Sequence, residues 1–353
     1  MRRPGVLLAM LAAAGGALPG CGDGRPRPEL PPWPTVLPPN PEDGYHFDGA
    51  ADPFYEGWYH RLAVPDRAEA FFFIYGVINP APGSAYSSEA FLYCGRASTV
   101  ESVYQKVPPD EFSALQQARD VRIGNLSRAT APRFAGLADD GVHRCEWDIA
   151  VSDGIAWPQT MGWMTGSAGL ETSWHVGTLR GRHTGWVRFD GDEIGFEQAP
   201  GYADHNWGST FPAQWIWLQA NTFDEGDAAL AASGGTVQFQ GGQIEAAMIG
   251  LWHDGALSTF RTQDLDTVSQ SHADSTWTME GQRGLERIRI TASCDPAGLF
   301  HLLVPTAEGM KPRAWESLGG ELEVTLERRE SEQAAWGAVF AGRSAWAGVE
   351  RGE

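Results

Sequence analysis

An acid, an imidazole and a carboxamide stand in a row at Asp204-His205-Asn206, with Trp207 next and the aromatic run Trp215-Ile-Trp-Leu-Gln-Ala-Asn-Thr-Phe223 close behind. In an extended chain alternate side chains share a face. Trp215, Trp217, Gln219, Asn221 and Phe223 then lie on one side, and Ile216, Leu218 and Ala220, with Thr222, on the other. The second set reads as plain core. Two indoles interleaved with two amides suit the wall of a semi-polar cavity, or else the amides satisfy backbone groups at a domain seam. The run Phe54-Tyr-Glu-Gly-Trp-Tyr-His-Arg-Leu62 repeats the pattern, with Phe54, Glu56, Trp58, His60 and Leu62 on one face and Tyr55, Gly57, Tyr59 and Arg61 on the other. A glutamate among aromatics is expensive to bury as an anion, so Glu56 is either paired, with Arg61 or His60, or protonated. A buried carboxyl that keeps its proton can act as a general acid.

Other chemistries find less support. Nine histidines raise the question of a metal, but no pair has the spacing of a helical zinc site and no carboxylate cluster accompanies them in sequence, so no metal or other cofactor is expected. No Gly-x-Ser-x-Gly elbow and no Gly-rich phosphate loop occur. Asp, His and Asn also suit turns, where their side chains cap the backbone, and that reading of Asp204–Asn206 stands beside the chemical one.

The elements that must position these residues read as strands. With 15 tryptophans, 43 glycines and 23 prolines, the segments are short, rich in aromatic and β-branched residues, and bounded by turn chemistry. Strands are expected at Phe54–Val64, Ala70–Val77, Ala90–Arg96, His143–Val151, Trp174–Leu179, Gly185–Asp190, Glu193–Glu197, Trp215–Phe223, Gln243–Trp252, Trp277–Glu280, Glu286–Ala292, Phe300–Val304 and Glu321–Arg328. Gly191-Asp192 marks a hairpin, and Glu111–Arg119 reads as a short helix. Aromatic strands opening at Phe54 and Trp215 suggest a loose duplication. The fold class is all-β, with two antiparallel barrels or sandwiches divided near residue 205, at 43–204 and 205–353.

The N-terminus carries a different signal. Arg2 and Arg3 precede an apolar stretch from Val6 to Leu18, and Leu18-Pro-Gly-Cys21 places a cysteine where a bacterial lipoprotein signal is cut. Residues 1–20 are thus expected to be a signal peptide, and Cys21 a lipidation site. Residues 21–42 hold eight prolines and read as a stiff tether holding the domain off a membrane. The expected place is a bacterial cell envelope, on its periplasmic or outer side. The net charge of −19 becomes more negative once the signal and its two arginines are removed. Such a chain repels nucleic acid and favours a neutral or apolar ligand. Cys94, Cys145 and Cys294 fit no zinc or redox motif; one disulfide with a leftover thiol, or three buried thiols, are both consistent.

Gly44-Tyr-His-Phe-Asp48, Phe54-Tyr-Glu-Gly-Trp-Tyr59, Gly185-Trp-Val-Arg-Phe-Asp-Gly191, Ala199-Pro-Gly-Tyr-Ala-Asp-His-Asn-Trp-Gly208 with Phe211-Pro and Trp215-Ile-Trp-Leu-Gln219, Pro305-Thr-Ala-Glu-Gly309 and Gly320-Glu-Leu322 occur in that order. Together they resemble the tocopherol cyclase family. The resemblance implies two lipocalin-like β-barrels side by side, a fold class also associated with carotenoid hydratases. It also implies closure of a chromanol ring, in which a phenol adds across the nearest double bond of its own prenyl tail. The chain departs from the family pattern at His205, where a lysine is usual, and at Glu171–Val176, where a histidine before the tryptophan and a glutamine after it are missing. A tryptophan-rich pattern is also thin between Ser258 and Trp277, and an export signal is added.

Ring closure needs a proton delivered to carbon, aromatic faces around the developing tertiary cation, and exclusion of water. On this reading Asp204 is the proton donor or its relay, and Glu56, with Trp58 beside it, is the rival acid. His205 and Asn206 orient the phenol. Trp207, Trp215 and Trp217 flank the cation, and Gln219 and Asn221 complete the wall. The partner is a hydrophobic small molecule with a prenyl tail, besides a membrane reached through the lipid anchor. Two other functions compete. One is hydration of an isoprenoid double bond, and the other is non-catalytic carriage of a hydrophobic ligand, which lipidation and the thin tryptophan pattern favour.

Overall fold

The computed structural model describes residues 27–353; the signal peptide of residues 1–20 and Cys21 lie outside the described residues. Strands follow one another in two sheets. The first contains β1 (Tyr55–Val64), β2 (Glu69–Ile78), β3 (Glu89–Arg96), β4 (Glu101–Val107), β5 (Phe112–Ala114), β6 (Asp120–Ile123), β7 (Ser127–Thr130), β8 (Arg133–Asp139), β9 (Arg144–Trp157), β10 (Thr172–Phe189) and β11 (Asp192–Gly208). The second contains β12 (Gln214–Ala220), β13 (Ala228–Phe239), β14 (Gly242–His253), β15 (Ala256–Arg261), β16 (Thr267–Ala273), β17 (Thr276–Arg283), β18 (Glu286–Ser293), β19 (Phe300–Thr306), β20 (Gly309–Arg328) and β21 (Gly337–Gly352). All pairings between named strands are antiparallel, and each sheet curls into a nearly closed barrel. The expected division at 204/205 falls inside β11, which stays in the first sheet to Gly208. Among the described residues, no helix is long and apolar enough to cross a membrane.

Alternation sorts side chains between the barrel interiors and the seam. Trp58, Leu62, Phe73, Phe134 and Trp147 fill the first barrel. Ile216, Leu218, Leu230, Ile249, Trp277 and Val324 fill the second. The outward faces meet in two apolar clusters, one around Trp157, Trp174, Tyr202 and Trp217, the other around Phe72, Tyr93, Trp215 and Phe300; Tyr59 packs against both.

Two expectations need correction. Glu111–Arg119 is no helix: a 3-10 turn, Pro109–Glu111, leads into β5. The backbone there bonds laterally, with Tyr45 N donating to Leu115 O at 2.9 Å and Leu115 N to Asp120 O at 3.2 Å. The described part of the proline-rich segment does not project from the barrel. Arg27 pairs with Glu193 and lies 3.6 Å over the Trp186 ring. Trp33 lies under the guanidinium groups of Arg128 and Arg133, 4.8 Å from each. Residues 27–40 carry no strand or helix, yet these cation–π and ionic contacts lay them on the first barrel.

Cys94 of β3 and Cys145 of β9 form a disulfide across the buried interior of the first barrel, with Cα atoms 6.5 Å apart, and Cys294 is free. These two strands are not ladder neighbours, so the bridge ties together parts of the sheet that hydrogen bonds do not. Replacing both cysteines by alanine is expected to lower unfolding free energy by about 2–4 kcal/mol in urea titrations, with ligand-free secondary structure retained.

Candidate active site

The seam holds a half-open cavity of about 140 Å³ between the barrels. Its wall is built by the outward faces of strands from both sheets. Tyr55 and Tyr59 come from β1, Trp174 from β10, and Asp204 and Asn206 from β11. Trp215 and Trp217 come from β12, Met248 from β14, Glu316 from β20 and Glu350 from β21. An apolar cavity of this size accommodates a single aromatic ring; anything longer must extend through the open side.

Asp204 is buried in this wall. Its Oδ2 accepts hydrogen bonds from the Trp174 indole at 2.9 Å and the Tyr202 hydroxyl at 2.8 Å. Burial nevertheless raises its carboxyl to about 6, against the opposing pull of those donors. Glu316 and Glu350 stand directly opposite each other on adjacent strands. The Tyr59 hydroxyl donates to Glu316 Oε1, while Glu316 Oε2, although buried, meets no partner. Burial, reinforced by the nearby Glu350, holds the Glu316 carboxyl well above the ordinary carboxylate range. Glu350 accepts from the Trp215 indole and is raised by burial to about 7. The Trp217 indole N–H is buried beside them without a hydrogen bond.

Two glycines of β21 make room for the indoles. A Cβ on Gly348 would lie 2.6 Å from the Trp217 ring, and one on Gly352 would lie 2.1 Å from the Trp215 ring. Gly348, Glu350 and Gly352 share one face of the strand, so the acid sits between two slots filled by tryptophan.

The sequence-derived candidates divide. Asp204, Asn206, Trp215 and Trp217 line the cavity as expected. Asp204-His205-Asn206 forms no turn; it lies within β11, and alternation sends His205 and Trp207 to the opposite face. There the Trp58 ring stacks on His205 at 4.5 Å, and Trp207 stacks on His46 at 3.8 Å. Glu56 joins that group rather than the cavity: it is hydrogen-bonded to His205 Nε2 at 2.7 Å and to His46 Nδ1 at 3.0 Å, and it accepts from the His46 backbone N–H. Its carboxyl is raised well above the ordinary range by burial, while His205 is lowered well below its own and His46 falls to about 4. Thus Glu56, Trp58, His205 and Trp207 belong to the first barrel and not to the seam cavity. Glu56 has neither of its expected partners, because Arg61 points into the seam and His60 stacks on Phe134. His46, Glu56 and His205 bring side-chain atoms within 4.8 Å of one another, and they are used up in hydrogen bonds to each other.

Gln219 and Asn221 face the seam but do not reach the cavity. Gln219 Oε1 accepts from Arg61 Nη1 at 2.8 Å, and Asn221 Nδ2 donates to Gly201 O at 2.8 Å. Asn221 satisfies a backbone carbonyl at the seam, as the second reading of that face has it, whereas Gln219 meets a side chain, the Arg61 guanidinium. Sequence reasoning missed Tyr59, Trp174, Glu316 and Glu350 as site residues. The Gly348-x-Glu350-x-Gly352 alternation is a signal that could have pointed to the last of these.

Below the ordinary aspartate value of 3.8 the Asp204 carboxyl is protonated in both folded and unfolded chains and favours neither. As pH rises through the window up to about 6, the unfolded chain ionises first and stability falls. Asp204→Asn is therefore expected to be more stable than the parent by about 2–3 kcal/mol at pH 7.5, with the gain vanishing at pH 3.5, as measured by denaturant titration. Gly348→Ala is expected to lose about 1–3 kcal/mol and to alter tryptophan emission, because the Trp217 ring must move.

The profile of the tocopherol cyclase-like family matches residues 94–353. The chloroplastic tocopherol cyclase of Zea mays is 26% identical over 369 residues, spanning 88% of this chain and 77% of that protein. A chloroplastic protein of Oryza sativa subsp. japonica, assigned as a tocopherol cyclase, is 25% identical over 378 residues, spanning 88% and 78%. Among solved structures, an AttH candidate from Nitrosomonas europaea superposes with a TM-score of 0.54 at 16% identity, covering 92% of this chain and 98% of that one. CghA superposes with a TM-score of 0.52 at 14% identity, covering 96% and 95%. These two likenesses concern the fold. With the family profile matching most of its length, the chain belongs to the tocopherol cyclase-like family.

Proposed function

We propose that the seam cavity closes a chromanol-type ring on a prenylated hydroquinone. The ring-bearing head occupies the cavity and the tail leaves through its open side. A carboxyl of the cavity protonates the tail double bond nearest the ring, a tertiary cation develops, and the phenol oxygen captures it. Trp174, Trp215 and Trp217 offer π faces to that cation, each worth roughly 0.5–2 kcal/mol when water is excluded. Asn206 is positioned to orient the phenol. The observation that carries this reading is Asp204: a carboxyl buried at a mostly apolar ring-sized cavity, held by an indole and a phenol, and raised to about 6.

Hydration of an isoprenoid double bond would use the same cavity carboxyls, with water in place of the phenol. Simple carriage of a hydrophobic ligand would need the cavity but none of its three carboxyls. Their convergence on one wall favours chemistry over carriage. We also propose that the protein works at a bacterial cell envelope, anchored through Cys21. That reading rests on the sequence of the first 21 residues.

Incubation with a panel of prenylated hydroquinones followed by mass spectrometry distinguishes the outcomes. Ring closure conserves mass and removes a hydroxyl that can be derivatised, hydration adds one water, and carriage returns the ligand unchanged. Asp204→Asn is expected to lower turnover by at least about 100-fold, whereas Glu56→Gln keeps it within about tenfold. Full activity of Asp204→Asn would remove this site from the reaction.

A further inference from the structure

Glu316 and Glu350 are buried titratable groups that the reading above does not yet use. Three observations bear on them. They are direct cross-strand partners, so their carboxyls share the cavity face of β20 and β21. The cation whose charge acts on Glu316 is the Arg61 guanidinium, which is itself bound to Gln219 Oε1, Leu318 O and Trp346 O rather than to either acid. And Glu316 Oε2 is buried without a hydrogen-bond partner, so nothing there stabilises an ionised oxygen. Two carboxyls facing each other at a buried site do not both ionise, and the nearby Asp204 adds to the negative field on each, so the pair retains one proton. Asp204 is set up differently. Two donors converge on its Oδ2, and such donors favour the ionised form.

We infer that Glu316 and Glu350 hold a shared proton that is delivered to the tail alkene, and that Asp204 is the base that takes the phenol proton. This inference rests on the ring-closing reading and assigns its acid and its base. The carboxyl O–H breaks and a C–H bond forms at the less substituted alkene carbon, leaving a tertiary cation. The phenol oxygen forms the C–O bond, and its proton passes to the Asp204 carboxylate. Transfer of that proton back to the Glu316–Glu350 pair restores the starting state. Substrate and product are isomers, and no co-reactant is consumed. The pair titrates as a unit, so its proton belongs to neither residue alone.

The first test needs no substrate. Infrared spectra at neutral pH should contain a protonated-carboxyl C=O band that Glu316→Gln and Glu350→Gln each remove and that Asp204→Asn leaves in place; Glu56→Gln identifies the contribution of the other buried acid. Absence of any band sensitive to Glu316 or Glu350 overturns the inference. The second test is kinetic, with thermal melts confirming that each variant is folded. Glu316→Gln and Glu350→Gln should each lower kcat by at least about 100-fold with little change in KM, and high pH should not restore it. Asp204→Asn should regain part of its activity at neutral pH, where the pair keeps its proton, when a small carboxylate such as formate is added as a replacement base. If the parent closes the ring while both glutamine variants keep its kcat and pH profile, the inference fails and the ring-closing reading stands. If the parent closes no ring, both fail. Should Glu316→Gln not fold, Glu350→Gln carries the same comparison.

Discussion

Charge burial between the two barrels is the constraint on which the site depends. Three carboxyls and one guanidinium are withdrawn from water at a seam otherwise made of indoles, phenols and methionines. Desolvation acts on the charged form of each group and pushes the three carboxyl pKa values upward. An isolated barrel would leave these same side chains on its outer surface. It is the docking of one outer face on the other that brings their proton exchange toward neutral pH.

That docking also explains why the barrel interiors are ordinary. The second is packed with aliphatic residues around Trp277, and the first with aromatics around Trp147 and a disulfide. The first barrel does contain a separate polar group, Glu56 between two imidazoles, under stacked tryptophan rings. Its resemblance to the seam is superficial: here both carboxyl oxygens have hydrogen-bond partners, whereas Glu316 keeps one oxygen bare.

Much of the architecture was legible in the sequence. Aromatic and β-branched runs bounded by glycine and proline announced most long strands, and alternation correctly separated Ile216 and Leu218 from Trp215 and Trp217. Strand β13 was missed because Ala-Ala-Leu-Ala-Ala-Ser-Gly-Gly has little intrinsic strand preference; it is held by its neighbours β12 and β14. Strand β4 is polar and forms a sheet edge, so it lacks an apolar signature. Asp204 emerged from its aromatic surroundings. Reading Asp204-His205-Asn206 as one constellation failed because the pleat separates neighbours. Glu316 and Glu350 were invisible for the opposite reason: only the register of β20 on β21 makes them neighbours.

Strands β1, β11 and β12 each serve two masters, one set of alternate residues packing a barrel and the other facing the seam. Innovation in such a scaffold is uncoupled from its foundations. Every second position can be exchanged for new reactivity or a new guest while the intervening positions continue to specify the same pair of barrels. A lineage built this way can explore chemistries without first relearning how to fold.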